Sequence, residues 1–357
     1  MGQKNTNDSK LHQKFTKRSI MKDVLLSAIH HLIYNNVWCR DPSDETSNKA
    51  SVKGYENRIL GFRSEIEFER LQVNNGARVL QGGWLLSRQK GKRCLEDSVY
   101  FTISSDNPEQ YIKLYALLER LNLTKRYFIK YTFAENPQEW QSSDVFDNKN
   151  YITFPTYSCF EFNDGKFLEV TNGDYGLAPL LELYTKNIGP RYKAAYQFKS
   201  APLDFASKHL GDFLIEELQQ ILANRFIFDG LIGYTRTKGI PTDIDLVILR
   251  DDKLIFIEVK EKDKAKTVVG FGMDTPRLKD IINISHRLGI EYYYVVKEVN
   301  NQTDRVFVSW WVIEIKDFYK VTNGGVIFEG GTGMATGMNN SHPTVVAPIH
   351  SFKKYAL

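Results

Sequence analysis

The stretch Ile240–Asp263, which reads IPTDIDLVILRDDKLIFIEVKEKD, contains two apolar runs that alternate in the manner of β-strands. The runs Asp243–Leu249 and Leu254–Lys260 are separated by a short polar segment, which has a suitable length for a β-hairpin connection. Successive side chains of a strand point to opposite faces, so each run brings two charged residues together on one of its faces. The stretch therefore predicts a hairpin that carries acidic residues on an apolar framework.

The register of this hairpin follows from its turn. With a symmetric connection, counting back along both strands puts Asp245 opposite Glu258 and Asp243 opposite Lys260. Directly opposed side chains lie about 4.5–5.5 Å apart at Cβ, and like charges in such positions destabilise a sheet. We therefore expect a positive charge between the two carboxylates.

A divalent cation is the natural source of that charge. Mg²⁺ binds one or two carboxylates together with water and substrate phosphate, which suits Asp245 and Glu258. Lys260 projects from the same face as Glu258, close enough to contact an attacking water or a phosphate. The alternative interpretation is a surface hairpin whose acids and lysines are only solvated.

This arrangement resembles the PD-(D/E)XK nuclease superfamily. The matching residues are Pro241, Asp245 and the E-x-K formed by Glu258, Val259 and Lys260. The resemblance implies that Asp245 and Glu258 bind Mg²⁺ with help from the backbone carbonyl of Val259. It implies that Lys260 positions or activates the water. Pro241 is not adjacent to Asp245, but this spacing is loose in the family.

Two aspartates compete for the first metal position. Proximity to Pro241 favours Asp243, whereas the predicted register of the hairpin favours Asp245. We take Asp245 as the predicted ligand on the basis of the register.

A further acidic residue is predicted from the helix that precedes the hairpin. Ala206–Asn224 has helical apolar spacing, and Glu217 lies on its apolar side, four residues from both Phe213 and Ile221. A carboxylate that faces a core needs a partner. The superfamily often carries a glutamate on the helix before its hairpin, so the resemblance implies that Glu217 reaches the metal site. Glu216 is the alternative residue, and a buried structural ion pair is the alternative role.

The elements around the hairpin indicate the fold class. Phe226–Tyr234 is predicted as a strand before it, Pro276–Leu288 as a helix after it, and Glu291–Val299 as a further strand. With the preceding helix, these elements give the order α-β-β-β-α-β. The resemblance implies an α/β fold with a C-terminal restriction-endonuclease-like core, in which helices flank a mixed sheet, and an N-terminal α+β domain.

The length of 357 residues predicts about two domains. We divide the chain into a basic flexible tail (1–19), an N-terminal α+β domain that is a candidate DNA-recognition region (20–200), and a nuclease domain with a glycine-rich C-terminal loop (201–357). The formal net charge of +4 is compatible with nucleic-acid binding but does not indicate it alone.

Several basic residues are candidates for nucleic-acid contact. One group lies on a glycine-containing turn, a second is interleaved with aromatic residues, and a third flanks the hairpin. In that order they are Arg88, Lys90, Lys92 and Arg93; Arg191 and Lys193; and Arg236, Lys238 and Lys262. The alternatives are an exposed hairpin tip for the first group, an interdomain connection for the second, and a solvated strand exit for Lys262.

The sequence also excludes several classes of protein. Cys39, Cys94 and Cys159 are widely spaced and odd in number, which excludes a disulfide framework and a zinc site. The start of the chain has no apolar signal core, and no run reaches the ~18 apolar residues of a membrane helix. The phosphate-binding pattern GxxxxGK[ST] is absent. We therefore expect a cytoplasmic protein that uses neither a membrane nor ATP.

Together these features predict a Mg²⁺-dependent endonuclease that hydrolyses phosphodiester bonds in double-stranded DNA, most like a type II restriction enzyme. Such enzymes usually cut both strands as homodimers, so a two-fold dimer is expected. One alternative is a structure-selective nuclease of repair or recombination, such as a junction resolvase. The other is a non-catalytic DNA-binding protein with a nuclease-like fold.

Overall fold

One large mixed sheet, with helices on both faces, organises this α/β protein. The computed structural model describes residues 19–30, 32–33, 45–89, 92–119, 123–134, 141–142, 153–172, 176–177, 200–228, 240–250, 253–266, 268–331 and 342–355. The helices are α1 (19–30), α2 (Glu45–Asn74), α3 (Ile112–Leu118), α4 (Ser200–Leu210), α5 (Ile215–Arg225), α6 (Thr275–Leu288) and α7 (Ile315–Thr322). Short 3₁₀ turns lie at Pro108–Tyr111 and Ile349–Ser351.

The strands form one sheet of ten, a smaller sheet of three and a two-stranded ribbon. In chain order they are β1 (Arg78–Gln89), β2 (Lys92–Ser104), β3 (Lys125–Thr132), β4 (Gln141–Ser142), β5 (Thr153–Phe154), β6 (Thr156–Asn163), β7 (Lys166–Glu169), β8 (Ile240–Arg250), β9 (Lys253–Lys262), β10 (Gly270–Asp274), β11 (Glu291–Val299), β12 (Phe307–Glu314), β13 (Phe328–Gly331), β14 (His342–Pro348) and β15 (Lys353–Lys354). The large sheet has the order β15-β12-β11-β9-β8-β1-β2-β3-β6-β7. Within it β9 lies parallel to β11 and β2 parallel to β3, and the other neighbours are antiparallel.

The central hairpin β8–β9 is buried on both faces because its apolar residues alternate between two helical layers. On one face, Phe68 of α2 packs in a cluster with Leu246 and Val259. On the other face, Ile281 of α6 shares a cluster with Phe256. Full burial of a side chain of this size contributes roughly 1.5–3 kcal/mol, so the two layers fix the hairpin rigidly.

The elements on the two sides of the β1–β8 pair follow the same order. β1 and β2 form a hairpin, α3 follows it, and β3 then lies parallel to β2. β8 and β9 form a hairpin, α6 follows it, and β11 then lies parallel to β9. The preceding helices cross over: α2 packs against β9 as well as β1 and β8, while α5 packs against β2. The topology therefore has an approximate two-fold relation centred on β1 and β8.

Helix α6 and strand β11 confirm the predictions for Pro276–Leu288 and Glu291–Val299. Pro276 lies in the first turn of α6, where its missing N–H is harmless. Gly289 ends the helix with a left-handed φ of 64°, which residues other than glycine rarely adopt.

Three local predictions were wrong. The predicted loop at residues 39–58 is helical from Glu45 onward in the described part. The predicted helix Ala206–Asn224 is divided into α4 and α5 by a turn at residues 211–214. Phe226–Phe228 continues α5 as a helical turn instead of starting a strand, and residues 229–239 lie outside the described residues. Apolar content alone predicts burial, but it does not decide between helix and strand over so short a run.

The strand beside β8 comes from the N-terminal half of the chain. β1 pairs with β8 in antiparallel fashion, although the predicted boundary near residue 200 separates them in sequence. The two halves therefore share one sheet. The glycine-rich C-terminal segment also contributes strands β13, β14 and β15, whereas residues 1–18 and 332–341 lie outside the described residues.

Candidate functional site

The predicted hairpin register is confirmed along the body of β8 and β9. Leu249 pairs with Leu254, and the ladder runs back to Leu246 opposite Ile257. The pairing of β8 with β9 ends there, one step before Asp245 and Glu258 would meet. Beyond this point β8 pairs with β1, and β9 pairs with β11. The two strands therefore part at the carboxylates and leave side chains between them.

A β-bulge re-aims β8 at the same place. Leu80 of β1 pairs with Val247, but Gly82 pairs with Ile244, so β8 has one residue more than β1 in this interval. The extra residue falls at Asp245 and Leu246. Bulges bend a strand and redirect its side chains, and they are frequent beside active sites. Gly83 permits the close approach of β1 and β8 beside the bulge, since a Cβ on it would lie 2.9 Å from the carbonyl oxygen of Thr242.

Asp245 and Glu258 converge on one nitrogen atom, Nζ of Lys260. The ammonium lies 3.0 Å from Asp245 Oδ2 and 2.8 Å from Glu258 Oε1. Asp245 Oδ2 also accepts a hydrogen bond of 2.8 Å from the backbone N–H of Val259. The side chains of Asp245 and Glu258 are only 3% and 2% exposed. The sequence thus correctly predicted that these three charges meet, and Lys260 itself supplies positive charge between the carboxylates.

The charged groups of the site shift one another's pKa values, some upward and some downward. Burial and the charge of Glu258 raise the pKa of Asp245 to about 6. Burial alone would raise the pKa of Glu258, but Arg277 and Lys260 lower it. Burial alone would lower the pKa of Lys260, but Asp245 and Glu258 raise it well above its usual value. At neutral pH, Lys260 is therefore an ammonium group that donates hydrogen bonds, and Asp245 has the least stable negative charge.

Arg277, which the sequence analysis missed, forms the other side of the site. Its guanidinium donates from Nε to Glu258 Oε1 at 3.1 Å and from Nη2 to Glu258 Oε2, and Nη2 also donates to the backbone carbonyl of Asp243 at 2.6 Å. The signal that could have identified it is its position in the first turn of α6. A cation is unfavourable there because the helix N-terminus is itself positive, so a nearby anion is expected.

Asp243 lies at the rim, between two arginines. Its carboxylate oxygens are 3.7 Å from Arg277 Nη2 and 3.6 Å from Arg225 Nη2. Burial alone would raise the pKa of Asp243, but Arg277 and Arg225 lower it to about 2. The guanidinium of Arg225 also lies over the rings of Phe62 and Phe228, at 5.1 and 5.0 Å from their centroids. The side chain of Asp243 is 39% exposed. Because its pKa is low, Asp243 is ionised at neutral pH, and its ion-pair contacts are with the two arginines and not with Lys260.

Glu65 of α2 is a second residue that the sequence analysis missed. Burial, and then the charge of Asp245, raise the pKa of Glu65 well above its usual value, against Arg225 and Lys260. No group in the described ranges donates a hydrogen bond to its carboxylate. The signal was the same as for Glu217: Glu65 lies on a helix among the apolar residues Phe62 and Ile66.

The structure does not bring Glu217 to the carboxylate pair, which corrects its predicted role. Both carboxylate oxygens of Glu217 accept hydrogen bonds from Arg70 of α2, and Oε2 also accepts one of 2.7 Å from the backbone N–H of Leu214. Glu217 therefore caps α5 and joins it to α2, as the alternative of a structural ion pair predicted. Glu69 lies next to it and has a pKa of about 7, raised by burial against a hydrogen bond from Gln220.

The predicted nucleic-acid contacts are only partly described. β1 and β2 form a hairpin in which Arg88 pairs with Arg93 and Gln89 with Lys92. Lys262 donates a hydrogen bond of 2.8 Å to the backbone carbonyl of Gly272, so it holds β9 to β10. The other candidates lie outside the described residues: Lys90, Arg191, Lys193, Arg236 and Lys238.

The donor set at the site is compatible with a hard cation such as Mg²⁺. Asp245 Oδ1 accepts no hydrogen bond from the described residues, and the carboxylate of Glu65, which interacts with Asp245, also receives none from them. Both oxygens of Glu258 are held by cationic side chains that a metal ion could replace. Across the described residues, no three acidic, histidine or cysteine side chains form a ready-made metal cluster. Mg²⁺ commonly keeps several waters, so two carboxylates satisfy its needs.

Comparisons with protein-family models, with characterised proteins and with solved structures find no match for this chain. In the described ranges, no helix is long and apolar enough to cross a membrane.

Proposed function

We propose that this protein is a Mg²⁺-dependent endonuclease that hydrolyses phosphodiester bonds in double-stranded DNA. The observation that carries the proposal is the meeting of Asp245, Glu258 and Lys260 at the point where β8 and β9 separate. Burying the two carboxylates is costly, because each of them loses its hydration. Their location at a parting of strands, beside a bulge, favours a chemical role over a purely structural one.

The order of elements supports the finer assignment to a restriction-endonuclease-like core. If residues 92–239 are treated as an insertion and β10, which belongs to the three-stranded sheet, is left aside, the chain reads α2-β1-β8-β9-α6-β11. This is the order α-β-β-β-α-β that the resemblance to the PD-(D/E)XK superfamily implies. In this interpretation Glu65, on the helix before the first strand, takes the role that was predicted for Glu217.

Each residue of the site has its own role in the proposed reaction. Asp245 and Glu258 would hold the cation, with Glu65 and the carbonyl of Val259 as further oxygen ligands. When bound, Mg²⁺ neutralises phosphate charge and lowers the pKa of a bound water. Lys260 orients that water and stabilises negative charge on the phosphate. The two neighbouring carboxylates keep Lys260 protonated, so it acts as a donor and not as a base.

Cleavage of plasmid DNA tests the proposal. Wild-type protein should nick or linearise the plasmid with Mg²⁺ and leave it intact with EDTA. Asp245→Ala and Glu258→Ala should each reduce cleavage to background while DNA binding survives. Glu291→Gln is the matched control, because Glu291 is an exposed carboxylate on β11 whose partner is Tyr293. Equal cleavage by wild type and both alanine variants would contradict the assignment of the site.

The same assay sharpens the proposed class. A type II restriction enzyme acting as a homodimer should cut linear duplex at fixed positions and give discrete fragments. A structure-selective nuclease should leave linear duplex intact and cut a four-way junction. DNA binding that is unchanged in both alanine variants, with no cleavage by wild type under any divalent cation, would favour a non-catalytic DNA-binding protein.

A further inference from the structure

Arg277 has a placement that its own helix does not favour. It lies in the first turn of α6, which contains no acidic residue, and the N-cap residue Asp274 accepts a hydrogen bond from Thr344 instead. Backbone N–H groups make this end of a helix positive, so a guanidinium here is repelled by the helix. The position of Arg277 must therefore be stabilised from outside α6.

Glu258 provides that stabilisation by a two-pronged contact. Arg277 donates to both oxygens of Glu258, and its Nη2 also reaches the carbonyl of Asp243. Planar guanidinium groups match carboxylates and phosphates in this manner, which a lysine ammonium does not. The side chain of Glu258 is 2% exposed and that of Arg277 is 19% exposed, so the carboxylate is buried beneath the arginine.

The same two oxygens are those that the proposed cation needs. A metal ion on either oxygen would lie against the guanidinium, and the repulsion between these two cations disfavours binding of both. Moving Arg277 away from the buried Glu258 without a replacement would be strongly unfavourable, so one cation must replace another. Arg277 is the partner that has to move, since it occupies both oxygens of Glu258, whereas Lys260 contacts only Oε1.

Building on the proposed function, we propose that Arg277 is the resident counter-ion of Glu258 in the metal-free protein and exchanges with the divalent cation. Once released from Glu258, the guanidinium is free to contact the phosphodiester of the substrate, whose two non-bridging oxygens fit the same fork. Arg277 is in this sense a positioning residue before cation binding and a substrate-binding residue after it.

The exchange predicts a competition that can be measured without any turnover. If Arg277 occupies Glu258 for nine-tenths of the time, the apparent affinity of the cation is reduced about tenfold. Arg277→Gln should then bind Mn²⁺ about tenfold more tightly than wild type in calorimetric titrations. Its melting temperature should fall in EDTA and recover with saturating Mn²⁺. An arginine with only a structural role would lower stability under both conditions and would leave the Mn²⁺ affinity unchanged.

A control and a second variant make the outcome decisive. Arg287→Gln is the control, because Arg287 lies on the same helix, is 54% exposed and pairs with Glu96. It should change neither Mn²⁺ affinity nor the response to EDTA. Arg277→Lys keeps the charge without the fork, so it should fold even if Arg277→Gln does not, and should also bind Mn²⁺ more tightly than wild type.

The failures of the two proposals are distinguishable. Unchanged or weaker Mn²⁺ affinity in the Arg277 variants would overturn the exchange, provided that wild type binds Mn²⁺ and Glu258→Gln does not. If wild type and Glu258→Gln both fail to bind Mn²⁺, the proposed metal-dependent function fails, and the exchange fails with it. Tighter Mn²⁺ binding by Arg277→Gln together with a lower kcat for cleavage supports both roles of the arginine.

Discussion

The two hairpins at the centre of the sheet have corresponding neighbours, but buried carboxylates lie at one of them and buried amides at the other. Between β8 and β9 the ladder ends before Asp245, whose carboxylate lies in the field of Glu65 from α2. Between β1 and β2 the ladder continues to Gln81 opposite Ile103, and Gln81 accepts a hydrogen bond from Asn224 of α5. Corresponding elements thus contribute two carboxylates in one half and two amides in the other.

The difference shows why only one half suits chemistry. An amide both donates and accepts, so Gln81 and Asn224 form a contact that needs no ion, although Asn224 Oδ1 accepts no hydrogen bond from the described residues. Ionised carboxylates only accept, so Asp245 and Glu65 cannot stabilise one another and need a cation or a proton between them. The half of the sheet that contains β1 and β2 is therefore closed and neutral, whereas the half that contains β8 and β9 is open and acidic.

Lys260→Met should have the largest effect, since it removes the ammonium on which the acidic half converges. Loss of a positioned donor at a reacting phosphate typically costs about 10²–10⁴-fold in rate, and we expect a fall in cleavage of that order. The free energy of unfolding should also fall in EDTA, because two buried carboxylates lose a shared partner. Plasmid cleavage and melting curves measure the two effects. Cleavage at the wild-type rate would remove Lys260 from the site.

Lys297→Met applies the same substitution to a buried ion network outside the site. Lys297 lies on β11, and its Nζ is 2.6 Å from Glu67 and 3.2 Å from Glu261. The other carboxylate oxygen of Glu67 contacts Arg63, and that of Glu261 contacts Arg305. Each carboxylate oxygen there has a partner, so this network is structural.

Removing one member of such a buried network should lower the free energy of unfolding by about 3–5 kcal/mol, because Glu261 then loses one of its two cationic partners and keeps only Arg305. The rate of cleavage per folded molecule should not change. Urea denaturation and plasmid cleavage at a temperature below the melting range provide the two readings. A selective loss of cleavage without destabilisation would mean that the network belongs to the site.

Gln81→Glu introduces a carboxylate into the neutral half without changing its size. Gln81 is 3% exposed, and within the described part of the chain its side chain hydrogen-bonds with Asn224 and with no lysine or arginine. We expect the free energy of unfolding to fall by about 2–3 kcal/mol at pH 8, the typical cost of a buried polar group without its proper partner. The loss should diminish at pH 5, where the new carboxyl takes up a proton. An unchanged stability at pH 8 would mean that this half also accommodates charge.

The sequence predicted the local geometry of the site better than its long-range partners. The register of β8 and β9 could be counted because a short turn fixes it, and the count held from Arg250 to Leu246. The parting of the strands could not be predicted, since it depends on the bulge against β1, which is far away in the chain. Glu65 was missed for the same reason: its proximity to Asp245 arises from packing of α2 on the sheet.

The helix glutamate shows the limit of pattern arguments. An acidic residue on an apolar helical stripe needs a partner, and this argument applies equally to Glu217 and Glu65. Glu217 pairs with Arg70 and caps its own helix, whereas Glu65 lies near Asp245, a second carboxylate whose charge disfavours ionisation of Glu65. Which partner each one meets is decided by how α2 and α5 cross the sheet, and spacing within either helix contains no information about that crossing.

Asp245→Asn should produce the smallest effect and the most diagnostic one. In the fold, burial and Glu258 raise the pKa of Asp245 to about 6, whereas an unfolded aspartate titrates near 3.9. The folded state therefore binds more protons than the unfolded state between about pH 4 and pH 6, and the stability of wild type falls as pH rises through that window. Asparagine keeps the acceptor for the N–H of Val259 and does not titrate. In EDTA, the free energy of unfolding of the variant should thus match that of wild type near pH 4 and exceed it by about 1–3 kcal/mol above pH 7, where the pH dependence of the difference ends.

Urea denaturation of both proteins across this pH range measures the difference. Because Asp243 and Glu258 titrate in both proteins, subtracting the two profiles removes most of their contribution. Saturating Mg²⁺ should reverse the order, since a ligand that binds only the native state stabilises the protein that binds it more tightly. A variant that is less stable than wild type at pH 8 in EDTA would show that the hydrogen bonds to Val259 and Lys260 outweigh the repulsion from Glu258. Asp245 would then be as fully satisfied as Glu261 is in its network, and the contrast between an open, acidic half and a closed, neutral one would no longer hold.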